Sequence, residues 1–477
     1  MQRILSVKQM QDADFYTINT LGILSSELVE RAGIAVSEVI KKRFKGGRVL
    51  VCIGKGNNGK DGEIIARNLS LIHGFSVNKF YVESGDFSIF DKKHDIIVDC
   101  IFGIGLNREV TGNYLTAIRK INKSGAFVVS CDIPSGLNGD MGKPMGEAVK
   151  ANVTVAIQEL KFGHFLNDGK DYSGETLVKD VGISVWEEDF CWLTESKDVK
   201  QFFPKRKINT NKGNYGKTAI VGGSLNFPGS VALSLSALAS LKTGVGYTTL
   251  AVPDCTYNQY ANLVPEATRL VLSSNGKSIT FNEQEFSELL PKNAVAIGMG
   301  MCATEHTYNA IKYLLSNYEG RLIIDADGLN ALSKFGVEIL KNKKCEVVLT
   351  PHVVEFCRLT NKTKEEVLLS PISLAKDFAK EYNVVLLLKN AVSIITDGQT
   401  TFLNDTGSPS MAKGGSGDVL SGVIAGMSVR ENDLIDCVRA GAYLFGRAGE
   451  IATKNANEYT VTATEIIACI KDAINEL

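Results

Sequence analysis

Gly414-Gly415-Ser416-Gly417-Asp418 is followed at once by an apolar stretch, Val419 to Ala425. Small residues let backbone N–H groups converge on a phosphate without Cβ clashes. The apolar stretch predicts the start of a buried helix, whose positive N-terminal end would point at the same phosphate. Asp418 places an anion where an anion should bind. We therefore predict that Asp418 takes a proton from a substrate hydroxyl while the glycines hold a phosphoryl group in transfer.

Length and composition indicate a globular protein of several domains. With 477 residues the chain is too long for one ordinary core, so two or three domains are expected. A net charge of −1 gives no sign of a nucleic-acid or polybasic membrane surface. No apolar run is long enough to span a bilayer, and the polar start predicts no signal peptide. The ten cysteines have no metal-ligand spacing, which predicts reduced thiols in a cytoplasmic protein.

Short β-branched runs alternate with helix-like segments along almost the whole chain. Continuous apolar strands of this kind are typical of a parallel sheet covered by helices on both faces. Open sheets of this class bind ligands at the carboxyl ends of their strands, where this chain places Gly, Asp and Pro. The predicted strands are Arg48–Ile53, Ile96–Asp99, Phe127–Ser130, Thr154–Ile157, Thr218–Val221, Leu322–Asp325, Val347–Thr350 and Val384–Leu388.

The stretch from Val185 to Thr210 interrupts this alternation. It is rich in charged residues around Pro204 and shows no clear strand. We place a domain boundary near residue 200, which divides the chain into residues 1–200 and 201–477. Each part then has its own glycine-rich loop after a strand.

In the first part, the glycine-rich segment Gly54-Lys55-Gly56-Asn57-Asn58-Gly59-Lys60-Asp61-Gly62 follows the first strand, and a helix is predicted from about Glu63 to His73. A strand, a glycine loop and a helix in this order are typical of a phosphate or dinucleotide site. The loop matches neither a Walker A motif nor G-x-G-x-x-G, and its glycines alone would fit a helix-capping turn equally well. Two further strand ends carry polar segments, Asp99-Cys100-Ile101-Phe102-Gly103-Ile104-Gly105 and Asp132-Ile133-Pro134-Ser135-Gly136-Leu137.

These three segments resemble the NAD(P)H-hydrate epimerase family (the YjeF N-terminal domain), whose patterns are GNNGGDG, D-x-x-x-G-T-G and D-I-P-S-G. Lys60 stands where the family has Gly, and Ile104 where it has Thr. The resemblance implies a K⁺ ion held by Asn58, Asp99 and Ser135, a set of oxygen donors that suits a hard cation. It also implies that the hydrated nicotinamide nucleotide contacts Asn57, Asn58, Gly59, Lys60, Asp61, Gly103, Ile104, Gly105, Leu106, Asn107, Arg108, Glu109 and Asp132.

Asp132 is the candidate acid or base of this site. Epimerisation at the hydrated carbon requires the ring-opened or iminium form and a group that moves protons. The alternative is that Asp132 caps a turn or helix ahead of Pro134. Lys60 would place a cation beside the site, where it either assists binding or narrows the pocket.

In the second part, glycine and acidic motifs follow successive strands. They are Lys212-Gly213-Asn214-Tyr215-Gly216, Gly222-Gly223-Ser224, Pro228-Gly229-Ser230, Gly298-Met299-Gly300, Asp325-Ala326-Asp327-Gly328, Thr350-Pro351-His352, Leu388-Lys389-Asn390 and the segment of residues 414–418. From about Lys207 onward, their order and spacing resemble the ADP/ATP-dependent NAD(P)H-hydrate dehydratase family (the YjeF C-terminal domain), a branch of the ribokinase-like fold. The chain departs from that family at Val354, Asn390, Ser410 and Lys413.

The second resemblance implies a role for each motif. Asp418 would deprotonate the 6-hydroxyl of the hydrate, which accepts a phosphoryl group and then leaves as phosphate. Mg²⁺ with ADP or ATP is the implied cofactor. The nucleotide would contact Lys389, Asn390, Ala391, Val392, Ser393, Gly414, Gly415, Ser416 and Gly417. The hydrate would contact Ser230, Gly300, His352 and Asp418.

Several of these residues could instead have a purely structural role. His352 could simply start a helix after Pro351. Asp325 and Asp327 could cap a strand end rather than position Mg²⁺ or the nucleotide. Lys413, next to the anion loop, would either add charge for the phosphate or alter nucleotide preference.

Together the resemblances imply an α/β protein in which an N-terminal Rossmann-like α/β/α domain precedes a C-terminal ribokinase-like domain. The first domain would be an isomerase that interconverts the R and S epimers of hydrated NADH and NADPH (NADHX and NADPHX). The second would be a lyase that dehydrates the S epimer at the expense of ADP or ATP. The resemblance also implies a homo-oligomer. The alternatives are a small-molecule kinase, of the hydroxymethylpyrimidine or hydroxyethylthiazole kinase type, and a first part that binds nucleotides without catalysis.

Overall fold

The chain forms two compact units. The computed structural model describes residues 1–186, 190–227, 237–260 and 264–477. One unit comprises Gln2–Cys191, and the other comprises Trp192–Leu477 together with Met1. In the described ranges, no helix has the length and apolar character needed to cross a membrane. All ten cysteines are free.

A six-stranded parallel sheet forms the centre of the first unit among its described residues. Its order is Phe75–Tyr81, Gly47–Ile53, Ile96–Cys100, Phe127–Cys131, Val153–Ile157 and Glu175–Lys179. Gly47–Ile53 is the first strand of this sheet along the chain. The second strand, Phe75–Tyr81, pairs with it on one side, and the third strand, Ile96–Cys100, pairs with it on the other side. Such a reversal of strand order opens a crevice at the carboxyl ends of the first and third strands. The fold therefore predicts a ligand site after Ile53 and Cys100.

Helices cover both faces of this sheet, because alternate residues of each strand point to opposite faces. Val49, Val51 and Ile53 pack with the helices Ser25–Arg43 and Asn57–Ser70. Leu50 and Cys52 pack with residues of the helix Gly112–Lys123 on the other face. The remaining elements of the unit are helices Val7–Asn19 and Gly169–Ser173, 3₁₀ turns Val82–Ser84, Phe87–Asp91 and Phe162–His164, and the parallel pair Gln2–Leu5 and Leu160–Lys161.

The second unit also has a mainly parallel sheet. Its parallel strands lie in the order Thr268–Leu272, Tyr247–Pro253, Lys217–Gly222, Ala294–Met299, Arg321–Ile324, Glu346–Leu349 and Val385–Leu388. The antiparallel strands Ser393–Thr396 and Thr401–Asn404 follow. The strand order reverses between Lys217–Gly222 and Ala294–Met299, so a second crevice is expected there.

The helix Ser416–Met427 lies between this sheet and two further helices. Leu420 and Ile424 pack on sheet residues, whereas Val419 and Val423 pack with residues of Leu434–Asn455 and Ala463–Asn475. A helix buried on both sides is apolar all round, which explains its sequence. The other described helices are Ser196–Lys200, Ala237–Lys242, Glu283–Ser287, Glu305–Asn317, Asp327–Phe335, Val353–Thr360, Lys364–Leu369 and Pro371–Tyr382. The 3₁₀ turns are Lys212–Tyr215, Asp254–Tyr260, Val337–Lys341 and Pro409–Met411.

Each predicted strand is present, and the parallel α/β class is confirmed. Helices that follow glycine loops begin earlier than predicted, at Asn57 instead of Glu63 and at Ser416 instead of Val419. Glycine is a poor helix former, so sequence propensity hides these first turns until tertiary contacts stabilise them. The prediction of no strand between residues 185 and 210 is wrong, since Cys191–Leu193 is a strand.

Candidate active sites

A cavity of about 560 Å³ opens at the carboxyl edge of the first unit's sheet. Predicted contact residues line it, namely Asn57, Asn58, Asp61, Gly103, Ile104, Gly105, Leu106, Asn107, Arg108 and Asp132. Gly59, Lys60 and Glu109 are not among its lining residues. Lys60 is exposed and donates a hydrogen bond to Asn57 Oδ1 at 3.0 Å. Lys60 therefore does not narrow this cavity.

Asp132 has an unusual backbone and a fixed side chain. Its φ is +67°, a left-handed conformation that is uncommon outside glycine and is often found at functional sites. Its Oδ1 accepts hydrogen bonds from Lys161 Nζ at 2.5 Å and from Ile157 N at 3.2 Å. The carboxylate therefore accepts hydrogen bonds from Lys161 and Ile157, and within the described part of the chain it forms none with the turn ahead of Pro134.

Lys161 and His164 both form hydrogen bonds with Asp132. Lys161 is fully buried, and its Nζ also donates to the Ile157 carbonyl at 2.7 Å. The Lys161 amide donates to His164 Nδ1 at 3.2 Å, so the imidazole proton resides on Nε2, which donates to the Asp132 carbonyl at 2.9 Å. Burial, and then the nearby Lys161, lowers the pKa of His164 to about 4. The imidazole is therefore neutral at neutral pH.

Sequence reasoning did not single out Lys161. It lies 29 residues after Asp132, a separation that matches no motif. The usable signal was its place just beyond the strand Val153–Ile157, because the carboxyl ends of parallel strands meet at the ligand edge. Other lining residues that were missed are Met10, Gln11, Asp14, Gly56, Ile101, Phe102, Ile157 and Ile183.

Two more carboxyl groups line the cavity. Neither Asp14 nor Asp61 has a hydrogen-bond or ion-pair partner among the described residues. Burial, and then repulsion from Asp132, raises the pKa of Asp61 to about 8. The same two causes raise the pKa of Asp14. At neutral pH Asp61 is therefore largely protonated and able to donate a proton.

The three residues predicted to hold K⁺ come together beneath the cavity. Asn58 Nδ2 donates to the carbonyl oxygens of Phe102 at 2.7 Å and Cys131 at 3.2 Å, which leaves the buried Oδ1 without a partner in the described part of the chain. Asp99 is fully buried and accepts hydrogen bonds from the Ser135 hydroxyl at 2.5 Å and its amide at 2.8 Å. Buried polar atoms are rarely left unpaired. The orphan oxygen beside carbonyl and carboxylate oxygens fits a hard monovalent cation.

Gly59 determines how closely the helix Asn57–Ser70 approaches Gly54, at the end of the strand Gly47–Ile53. A Cβ at this position would lie 1.9 Å from the Gly54 carbonyl oxygen. We expect Gly59→Ala to destabilise the first unit by about 1–3 kcal/mol, because the backbone must move to relieve the clash. Native-state amide hydrogen exchange in this unit would report the loss. Gly56→Ala is the matched control, since nothing lies within 4 Å of its Cβ position. Equal exchange in the two variants would contradict the packing role of Gly59.

In the second unit, the segment 414–418 forms the N-terminus of the helix Ser416–Met427. Gly415 has a φ of +90°, which only glycine adopts easily. The amide N–H groups of Gly417 and Asp418 have no acceptor among the described residues. The Ser416 hydroxyl is buried and also lacks a hydrogen-bond partner there. Free donors at a helix N-terminus form a site for an anion such as phosphate.

Lys389 is held at this anion site. Its amide donates to the Pro351 carbonyl at 2.8 Å, and its Nζ lies 3.7 Å from the Cβ position of Gly417. Asp325 fixes the ammonium through Oδ1 at 2.9 Å, while Asp325 Oδ2 accepts from the Ser421 hydroxyl at 2.5 Å. Burial lowers the pKa of Lys389, but the attraction of Asp325 and of Glu355 outweighs it and the net shift is upward. The ammonium is therefore fully charged.

The two aspartates after Ile324 contact other parts of the unit. Asp325 is the partner of Lys389, so its carboxylate positions a cation of the protein. Asp327 Oδ2 accepts from the Cys302 amide at 2.8 Å. Groups of three or more His, Cys, Asp or Glu side chains that could hold a metal do not occur among the described residues.

Asp418 is half-buried at the first turn of the helix. Burial, and then repulsion from Asp325, raises its pKa to about 7, although Lys389 acts in the opposite direction. Near neutral pH a large fraction of this carboxyl is ionised, and the matched pKa suits a general base. The position and pKa of Asp418 are thus those expected of a proton acceptor beside a phosphate.

His352 caps the helix Val353–Thr360. Its Nδ1 accepts from the amides of Val354 at 3.1 Å and Glu355 at 3.3 Å, and Glu355 Oε2 accepts from the His352 amide at 2.8 Å. The alternative in which His352 starts a helix therefore accounts for the contacts of Nδ1. Nε2 lies 3.7 Å from Glu355 Oε1, and the His352 side chain as a whole is 51% exposed.

The other residues to which the sequence analysis gave a role in this unit lie in different parts of it. Gly300 follows the strand Ala294–Met299 at the point where the strand order reverses, with a φ of +64°. Asn390 to Val392 form the turn between the strands Val385–Leu388 and Ser393–Thr396. Ser230 lies outside the described residues. Lys413 Nζ donates to the Tyr459 and Val461 carbonyls, so its ammonium binds the protein's own backbone.

Two protein-family models match the chain. One, described as NAD(P)H-hydrate dehydratase, matches residues 218–472, and the other, described as YjeF-related protein N-terminus, matches residues 25–88 and 80–163. A bifunctional NAD(P)H-hydrate repair enzyme of Thermofilum pendens is 31% identical over 100% of this chain and 97% of the relative. The chain belongs to the family of bifunctional NAD(P)H-hydrate repair enzymes. A family member from Moorella thermoacetica is 32% identical over 97% of this chain and 95% of its own length.

Solved structures resemble the dehydratase part of this repair enzyme. The crystal structure of the ADP/ATP-dependent NAD(P)H-hydrate dehydratase from Bacillus subtilis, co-crystallised with ATP and Mg²⁺, is 25% identical with a TM-score of 0.52. It covers 60% of this chain and 98% of the other. A ribokinase-like superfamily protein from Enterococcus faecalis has the same fold, with 22% identity, a TM-score of 0.52 and coverage of 61% and 98%.

The family confirms the predicted function. The chain is an NAD(P)H-hydrate repair enzyme with an epimerase and a dehydratase domain. The alternative of a small-molecule kinase is not favoured, because the curated relatives match both parts of the chain rather than the second alone.

Proposed function

We propose that residues 1–200 interconvert the R and S epimers of NADHX and NADPHX, and that residues 201–477 dehydrate the S epimer with ADP or ATP as phosphoryl donor. The observation that carries the dehydratase assignment is the anion site at Gly417, where free amide groups, the ammonium of Lys389 and the carboxyl of Asp418 meet. The amides and Lys389 stabilise the phosphoryl group in transfer. Mg²⁺ bound to the nucleotide would supply further positive charge for the phosphates.

Asp418 starts the dehydration. Its carboxylate takes the proton of the 6-hydroxyl, and the hydroxyl oxygen attacks the terminal phosphorus as the bond to the leaving nucleotide breaks. The C–O bond of the phosphorylated hydrate then breaks, phosphate departs with the bonding pair, and loss of a proton restores the dihydropyridine. Phosphorylation is required because hydroxide is a poor leaving group. Gly300 and the exposed face of His352 lie at the neighbouring strand ends and would contact the hydrate.

Asp132 moves the proton in the first unit. It takes the proton of the hydroxyl on the hydrated carbon as the ring C–N bond opens, and returns it after the ring closes on the other face. The cavity at Gly103–Arg108 holds the nucleotide. K⁺ would be held by Asn58, Asp99 and Ser135, where its charge would order the segment that carries Phe102. The homo-oligomer stays a prediction.

The decisive test is recovery of the reduced nicotinamide from a mixture of R- and S-NADHX, followed by its near-ultraviolet absorbance. Purified protein is supplied with Mg²⁺, K⁺ and either ADP or ATP, and the faster donor defines the preference. We expect full recovery with one of the two. A plateau at the share of S epimer initially present would exclude epimerase activity. Accumulation of a stable phosphorylated product without recovery would support the kinase alternative.

Dehydration should depend on pH through Asp418. Its pKa is raised to about 7, so the base form is lost as the pH falls below that value. We expect kcat for S-NADHX to fall about tenfold per pH unit in the acidic range and to level off in the alkaline range. Initial rates at saturating nucleotide, from about pH 5 to pH 9, would measure this profile. A flat profile would contradict a proton transfer to Asp418.

A further inference from the structure

The ion pair of Lys161 and Asp132 divides the Asp132 carboxylate into two unlike oxygens. Oδ1 is bound by Lys161 Nζ and by the Ile157 amide. Oδ2 has no hydrogen-bond donor among the described residues and lies 3.6 Å from the Cβ position of Gly103, which lines the cavity. A proton can therefore be accepted at Oδ2 without breaking the contacts of Oδ1.

Lys161 is unusual for a lysine, because its side chain is fully buried yet its ammonium reaches the cavity wall. Buried lysines need partners, and this one has Asp132 and the Ile157 carbonyl. The neutral His164 behind it cannot replace its charge. Glu159 is a further carboxylate near Lys161, and it forms an ion pair with Arg3.

Resting on the proposed epimerase function, we propose that Lys161 is the positioning residue of that reaction, which fixes Asp132 Oδ1 and so leaves Oδ2 to face the hydroxyl of the hydrated nicotinamide. The proton passes from the substrate hydroxyl to Oδ2 as the ring C–N bond breaks and the bonding pair moves to nitrogen. Ring closure on the opposite face forms the C–N bond again, and Oδ2 returns the proton to oxygen. No proton or electron is consumed, as an epimerisation requires.

Two further carboxyl groups lie near Asp132 in the cavity. Asp14 belongs to the helix Val7–Asn19, and Asp61 belongs to the helix Asn57–Ser70. Lys161 is the cation that contacts Asp132 at hydrogen-bond distance. Its removal would leave the Ile157 amide as the remaining donor to Oδ1 among the described residues.

Lys161→Met tests this role. We expect kcat for epimer exchange at neutral pH to fall at least about tenfold, because Oδ1 is no longer held by the ammonium. Dehydration of pure S-NADHX by the same chain should stay unchanged. Lys79→Met is the matched control, because Lys79 pairs with Glu63 at 2.6 Å on the surface and does not line the cavity. It should leave kcat for epimer exchange unchanged.

Lys161→Ala provides a second variant that separates chemistry from folding. Added methylamine should occupy the vacated space and restore epimer exchange in a saturable way, which a purely structural role would not produce. Epimer exchange in Lys161→Met with the wild-type kcat would overturn the positioning role, as would lost activity in Lys161→Ala that no amine restores. If the wild-type chain itself exchanges no epimers, the proposed epimerase function fails and this inference falls with it.

Discussion

Asp418→Asn is expected to reduce kcat for dehydration of S-NADHX by about 10²- to 10⁴-fold, the usual contribution of a positioned base. Asparagine keeps the shape of the side chain but cannot accept the hydroxyl proton. Asp418 lies at a helix N-terminus beside the phosphate site, so its negative charge opposes nucleotide binding. The variant should therefore bind ADP or ATP at least as tightly as the wild type. Steady-state rates and nucleotide titration by calorimetry would measure the two effects separately.

The control for this variant is contained in the same chain. Epimer exchange takes place in the other unit and should be unchanged in Asp418→Asn. A dehydration rate within about tenfold of the wild type would show that another group takes the proton. Loss of nucleotide binding together with activity would instead indicate that the substitution disrupts the loop.

Asp132→Asn is expected to reduce epimer exchange by a similar factor, about 10²- to 10⁴-fold, while dehydration of pure S-NADHX continues at the wild-type rate. The left-handed backbone at this position tolerates asparagine well, so the substitution adds no backbone strain. With mixed epimers, recovery of NADH should stop when the S epimer is consumed. The time course of absorbance would show a fast phase and then a plateau.

Two comparisons make this result specific. Addition of a separate epimerase should remove the plateau, because the dehydratase of the variant remains active. Full recovery by Asp132→Asn at the wild-type rate would contradict the assignment of Asp132. Simultaneous loss of both activities in a folded chain would show that the two reactions do not have separate sites.

Sequence reasoning was most successful where a local pattern has one physical explanation. Continuous apolar runs specify buried parallel strands, and each of those predicted is present. The apolar stretch after Asp418 specifies a helix covered on both sides, which the packing of Leu420 and Val423 confirms. Such patterns involve residues that are close in the chain, so no knowledge of the fold is needed to interpret them.

The sequence was less informative about the beginnings of helices and about partners. Sequence reasoning assigned the first turn of the helix, at Asn57, to a loop, because glycine is a poor helix former. Close packing of this turn on Gly54 stabilises the helix. The sequence offered a strand cap, or positioning of Mg²⁺ or the nucleotide, for Asp325, and it gave no sign of the contact with Lys389, 64 residues further along. For Lys413 it offered charge for the phosphate or an altered nucleotide preference, and it gave no sign that the ammonium contacts the Tyr459 and Val461 carbonyls.

By itself, the sequence determined the α/β class, the glycine-rich anion loop and the family, because these follow from contiguous motifs and from their order. Only the tertiary structure decided that Lys161 supports Asp132 and that Asp325 positions Lys389. The physical reason is that parallel sheets bring strand ends together from distant parts of the chain. Ion pairs and raised pKa values at those ends depend on burial and on distances between side chains, and neither is encoded in any local spacing.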